Sequence, residues 1–117
     1  MKMITIWHNS RCGKSRDGKK LLEERGVEFE VYEYLKDDLK PEQIKQLISM
    51  LEISDIREML RTKEDAFKTN NLKDTNLSTE TIIDIVVANP KLIERPIIIN
   101  NGKAVIARPA ELALDII

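Results

Sequence analysis

A strand, a helix and a second strand fit within the first thirty or so residues, and this unit constrains the fold more than anything else in the chain. Met3-Ile4-Thr5-Ile6-Trp7 is β-branched and apolar with period two, which sets Ile4 and Ile6 on one face. Ser15 through Arg25 has helical patterning and stops at Gly26, a residue suited to the left-handed conformation that ends helices. Val27-Glu28-Phe29-Glu30-Val31 then alternates as a second strand. Two strands joined through a helix must lie parallel, with a right-handed crossover. Lys36-Asp37-Asp38 closes the unit as a charged turn.

A helical middle follows. Pro41 suits the first position of a helix whose Ile44, Leu47, Ile48 and Leu51 recur at helical spacing. Ser54 can cap a second short helix with Ile56, Met59 and Leu60 on one side. Residues 62–76 are polar and carry no clear period, with Phe67 and Leu72 as anchors; this stretch could be an ordered loop or a mobile lid. Ser78 caps a helix through Ala88 with Ile82, Ile85 and Val86 inward, closed by Asn89-Pro90. The last third returns to strands: Ile97-Ile98-Ile99 and Ala104-Val105-Ile106 flank Asn100-Asn101-Gly102, and Asn-Gly supplies the two positive φ values of a type I′ hairpin turn. Pro109 opens a closing helix, with Glu111 in its first turn and Leu112, Ala113 and Ile116 available to the core. The layout is β-α-β, a helical insert at about 40–90, then β-β-α. It predicts an α/β protein with a four-stranded mixed, thioredoxin-like sheet, in one domain spanning 1–117.

The chain's one cysteine and one histidine fall in the turn between the first strand and the first helix, in Trp7-His8-Asn9-Ser10-Arg11-Cys12-Gly13-Lys14-Ser15-Arg16. Cys12 is thereby placed at a helix N-terminus, where unpaired N–H groups and the helix dipole favour an anion. A thiolate is such an anion, and this setting lowers a cysteine pKa below its free value of roughly 8.5. Arg11, Lys14, Arg16 and a protonated His8 would act in the same direction, and the Ser15 hydroxyl can turn toward the sulfur. Most lone cysteines are buried, inert small hydrophobes, but a polar, cationic loop is a poor place for a residue that only packs.

Composition narrows the classes further. A chain of 117 residues with 42% hydrophobic and 33% charged residues can bury a real core under a soluble surface. A net charge of −1 creates no field that would gather nucleic acid or an anionic membrane. No apolar run approaches the ~18 residues of a membrane span and no signal peptide is visible, so a cytoplasmic protein is expected. One cysteine excludes an intrachain disulfide and a four-thiolate metal site; no metal and no bound cofactor are expected.

Two arginines precede prolines, at Arg95-Pro96 and Arg108-Pro109. In a thioredoxin-like sheet the start of the hairpin comes beside the first helix's N-terminus, and Arg95–Pro96 is a candidate cis bond bending the backbone toward Cys12. Both guanidinium forks could then bind an oxyanion that the sulfur attacks; the alternative is two ordinary surface arginines. At this point the chain resembles the glutathione- and glutaredoxin-coupled arsenate reductase (ArsC-like) family. The matching pieces are residues 8–16, Met59-Leu60-Arg61, Glu94-Arg95-Pro96-Ile97 and Arg108-Pro109, in the family's order and at similar spacing. The stretch Thr62-Lys63-Glu64-Asp65-Ala66-Phe67 and the position of Ile117 resemble a shorter branch of that family.

The resemblance implies a thioredoxin-like fold, Cys12 as nucleophile, and Arg61, Arg95 and Arg108 as an oxyanion cradle. Arg61 enters by this match alone. His8, Ser15, Arg16 and Pro96 correspond to supporting positions around the sulfur. The implied reaction reduces arsenate to arsenite through a covalent Cys12 adduct that glutathione and glutaredoxin resolve. The single cysteine independently points to an outside thiol, since two-cysteine designs resolve internally. Two alternatives stand beside it: a glutathione-dependent thiol/disulfide reductase on the same fold, which would have no use for the arginine trio, and a redox-responsive regulator binding RNA polymerase. Proteins of the second kind typically carry Cys-x-x-Cys, whereas here Ser15 holds the second position.

Overall fold

The computed structural model describes residues 4–117. Its secondary structure is β1 (Ile4–Trp7), α1 (Gly13–Glu24), β2 (Phe29–Tyr32), α2 (Pro41–Leu51), a 3-10 turn (Ile56–Met59), α3 (Asp65–Thr69), α4 (Thr79–Ala88), a 3-10 turn (Pro90–Leu92), β3 (Ile97–Asn100), β4 (Lys103–Ile106) and a closing 3-10 helix (Ala110–Asp115). The chain divides into two compact units, one made of residues up to Asp37 together with Arg95–Ile117, the other of Asp38–Glu94.

The first unit is built on a four-stranded sheet in the order β2-β1-β3-β4. β1 runs parallel to β2, with Ile4 opposite Phe29 and Ile6 opposite Val31, as the crossover through α1 requires. β1 is antiparallel to β3, and β3 to β4. This mixed sheet is the thioredoxin-like fold expected from the order of elements. Asn101 and Gly102 both have positive φ, 55° and 79°, so the hairpin turn is the type the Asn-Gly pair requires.

Ile4 and Ile6 share one face of β1 and pack with Leu22 of α1, Ile98 of β3, Ala107 and Ala113. Met3 lies outside the described residues. α1 and the closing 3-10 helix meet on this face. On the opposite face Trp7 sits edge-on to Tyr32 at 4.9 Å and stacks on buried Tyr34 at 5.7 Å. One apolar residue at the sheet edge is exposed, and one expected to be available to the core is not buried. Val31 is 41% exposed because β2 is an edge strand, and Leu112 is 42% exposed because the closing segment winds as a 3-10 helix, whose tighter turn moves it off the buried side.

The second unit is helical. α2 ends at Glu52 in the left-handed conformation, and α2 packs on α4. The short helix after it is a 3-10 turn capped by Asp55, whose carboxylate accepts the Arg57 N–H, rather than by Ser54. Glu58 reaches back to the Asp55 N–H, completing a capping box. Ser78 caps α4 as expected, but Ile83 takes the buried place assigned to Ile85, beside Ile82 and Val86. The polar stretch folds around buried Phe67 and Leu72. The Arg57 guanidinium binds the Leu72 carbonyl and, at 2.7 Å, the Asp74 carbonyl, which ties down the end of that stretch.

Candidate active site

Cys12 occupies the N-cap position of α1, with extended backbone (φ −96°, ψ 125°), and is half-buried. Its N–H bonds the Asn9 carbonyl at 3.0 Å and its carbonyl accepts the Arg16 N–H at 3.0 Å, so the backbone turns sharply at the sulfur. No side-chain hydrogen bond caps the helix. The free N–H groups of the first turn lie instead where they favour a thiolate. Burial by itself pushes the Cys12 thiol up; the Ser15 N–H, a hydrogen bond and charge from the Arg95 guanidinium, and the Lys14 N–H outweigh it, and the pKa is lowered.

The loop that presents the sulfur is laced from both sides. Ser15 is fully buried; its hydroxyl accepts the Asn9 N–H at 2.9 Å and shares a 2.7 Å hydrogen bond with His8 Nδ1. The hydroxyl expected to turn toward the sulfur is thus engaged in the loop, and it is the Ser15 backbone that acts on Cys12. Arg16 reaches back to the Ser10 carbonyl at 3.0 Å. Burial lowers the His8 pKa, with Lys19 next in weight and Glu33 opposing. The lowered pKa works against a protonated His8, contrary to the expectation that its positive charge would assist the thiolate.

The hairpin supplies the cation. Arg95–Pro96 is cis, as expected at this position, and so is Arg108–Pro109. Arg108 Nη1 donates to the Arg95 carbonyl at 3.2 Å, so the second arginine steadies the backbone of the first. Buried Pro96 packs on α1 at Gly18: a Cβ at Gly18 would fall 2.7 Å from Pro96 Cγ. Gly18 escaped the reading of the sequence. The available signal was a glycine inside a helical run, which marks close packing when it occurs away from a helix end. Arg61 lies in the second unit, where its guanidinium meets the Glu64 carboxylate and approaches Glu94 at 3.7 Å. Among the described residues no cluster of His, Cys, Asp and Glu could hold a metal ion, and no helix is long and apolar enough to cross a membrane.

A single cysteine at the mouth of a thioredoxin-like βαβ unit, its pKa lowered by the first turn of α1 and by an arginine from the facing hairpin, is a site suited to thiol chemistry. The chain belongs to the ArsC family, whose profile matches residues 7–116. It is 47% identical to the uncharacterized protein YfgD of Escherichia coli K12, over 99% of this chain and 98% of that protein. It is 40% identical to an arsenate reductase of Neisseria meningitidis, covering 95% of each chain. Among solved structures it superposes on arsenate reductase from Vibrio cholerae with a TM-score of 0.95 at 39% identity, covering 98% of each chain.

Proposed function

We propose that the protein is an arsenate reductase that uses Cys12 as its nucleophile and takes its electrons from glutathione and glutaredoxin in the cytoplasm. The observation that carries this reading is the convergence of the α1 N–H groups and the Arg95 guanidinium on the Cys12 sulfur. Together they stabilise a thiolate and leave positive charge beside it for an oxyanion. The relatives named arsenate reductases give the oxyanion its identity.

In this mechanism the Cys12 thiolate attacks arsenic(V), and one arsenate oxygen leaves as water after taking up protons. Arg95, Arg108 and Arg61 offset the oxyanion charge as the sulfur–arsenic bond forms. Glutathione then displaces a second oxygen, giving arsenic bonded to two sulfurs. A glutaredoxin thiolate attacks the glutathione sulfur, and the electron pair of the breaking sulfur–arsenic bond reduces arsenic(V) to arsenic(III). The two electrons thus come from two external thiols, which leave as a mixed disulfide. Water releases arsenite and restores the thiolate. His8, Ser15, Arg16 and Pro96 hold the loop and the arginine in place.

The test is arsenate-dependent NADPH oxidation coupled through glutathione reductase, glutathione and glutaredoxin, with Cys12→Ser in parallel. The proposal expects turnover that needs arsenate and glutaredoxin and is lost in Cys12→Ser, because a neutral alcohol is a poor nucleophile at pH 7. Arsenate turnover retained by Cys12→Ser, or no arsenate turnover by the parent protein, would refute it.

A further inference from the structure

The proposed reaction needs an outside thiol, and the structure offers a cavity against the loop that carries the cysteine. A cavity of about 370 Å³ opens against the cysteine loop, lined by His8, Asn9, Ser10 and Arg11 on one side and Glu33, Leu35 and Lys36 on the other. Its volume falls in the range of small-molecule sites, roughly 300–1,000 Å³. The loop wall ends at Arg11, the residue immediately before Cys12.

The lining has a distinct chemical character. Arg11 and Lys36 bring two cations, Glu33 one carboxylate, and Leu35 an exposed apolar surface. Lys36 and Glu33 contact each other at 3.5 Å, but both are solvent-accessible, 71% and 40%, and such exposed pairs contribute at most about 1 kcal/mol. Each charge can be exchanged for a ligand's at little cost. Glu33 also acts on His8, whose Nδ1 bonds the Ser15 hydroxyl, and the Ser15 N–H stabilises the Cys12 thiolate.

We propose that this cavity seats the reducing co-substrate, a small zwitterionic peptide thiol of the glutathione class, with its carboxylates on Arg11 and Lys36, its ammonium on Glu33 and its aliphatic part over Leu35. This assignment rests on the reading of Cys12 as a nucleophile resolved by an external thiol. An inorganic oxyanion alone would not call for Glu33, whose charge repels it. A purely cationic or apolar ligand would not call for the two bases. The combination fits a molecule bearing both signs of charge at its ends.

The probe is S-methylglutathione, which keeps the charges and cannot react. Titrated into the full-length protein and followed by amide chemical shifts, it should move residues 8–11 and 33–36. Lys36→Glu and Arg11→Ala should each weaken its binding, by about tenfold for the charge reversal. The same variants should raise the KM for glutathione by a similar factor, and Lys36→Glu should leave the KM for arsenate unchanged. Shifts confined to other surfaces, no detectable binding, or unaltered affinity in both variants would overturn the assignment. The two readings can fail separately. Arsenate turnover with an unchanged KM for glutathione in both variants removes the cavity and leaves the reductase. Charge-dependent S-methylglutathione binding without arsenate turnover leaves the thiol site and removes the oxyanion.

Discussion

Gly18→Ala tests whether the packing of the hairpin on α1 sets the reactivity of Cys12. The new methyl carbon would lie 2.7 Å from Pro96 Cγ, 3.4 Å from Pro96 Cβ and 3.5 Å from Ile6 Cδ1. Carbon atoms rest about 3.5–4.0 Å apart, so the proline ring must recede by roughly 1 Å. That ring is rigid and buried, its carbonyl holds the Ala107 N–H at 2.9 Å, and the preceding carbonyl is held by Arg108. Overpacking of this kind costs about 1–3 kcal/mol, while alanine regains about 0.5–1 kcal/mol of helix propensity. A net loss of about 1–2 kcal/mol is expected, seen as a Tm several degrees lower. Because Arg95 precedes Pro96, its guanidinium moves as well. A hydrogen bond between charged groups is worth about 1.5–3 kcal/mol, so weakening it should lower kcat/KM for arsenate by about ten- to a hundredfold. It should also return the Cys12 pKa toward that of a free thiol. The assay is the rate of iodoacetamide alkylation against pH, beside a melting curve. Gly26→Ala is the control: Gly26 has φ +69° with no atom near its missing Cβ, so stability should fall with no change in alkylation. A Gly18→Ala protein with a higher Tm would refute the steric argument. A lower Tm with an unaltered alkylation profile would refute the link to Arg95.

Arg108→Ala removes the donor to the Arg95 carbonyl and should lower kcat/KM for arsenate by about tenfold or more, with a slower thiolate reaction at neutral pH; unchanged values for both would take Arg108 out of the site. The Asp55 pKa is lowered, chiefly by the Arg57 N–H; burial opposes this, and the Arg57 side chain adds to the lowering. Its stabilisation is thus present above the unfolded carboxylate pKa and lost as pH falls through the folded one. Asp55→Asn should be less stable than the parent at pH 7, the gap closing toward pH 3, as read by urea denaturation at both. Ile83→Ala should cost about 2–5 kcal/mol and Ile85→Ala clearly less, since Ile83 is 2% exposed and Ile85 only partly buried. Equal losses in the two would contradict the orientation of α4.

The parts of the fold visible in the sequence were those written locally. β1, α1 and β2 follow from period and from Gly26, and the hairpin from Asn101-Gly102, because each signal acts within a few residues. The errors arose where a neighbour in sequence competed. Ser54 and Asp55 can both cap, and Asp55 prevails because Arg57 and Glu58 complete its hydrogen bonds. Ile83 and Ile85 sit on either side of an apolar stripe, and tertiary packing alone decides between them. At the site, the placement of Cys12 was legible because the sequence announces the helix N-terminus on which it sits. The role of Gly18 depends on a proline 78 positions away in the chain, and the occupation of the Ser15 hydroxyl by His8 depends on a loop conformation, so neither could be read from spacing.

The most direct test of the central claim is alkylation of Cys12 by iodoacetamide across pH, with and without arsenate. A Cys12 thiolate held by α1 and Arg95 predicts a midpoint below that of a free thiol and slower alkylation when arsenate occupies the site. A midpoint at or above the free-thiol value, with no protection by arsenate, would contradict it.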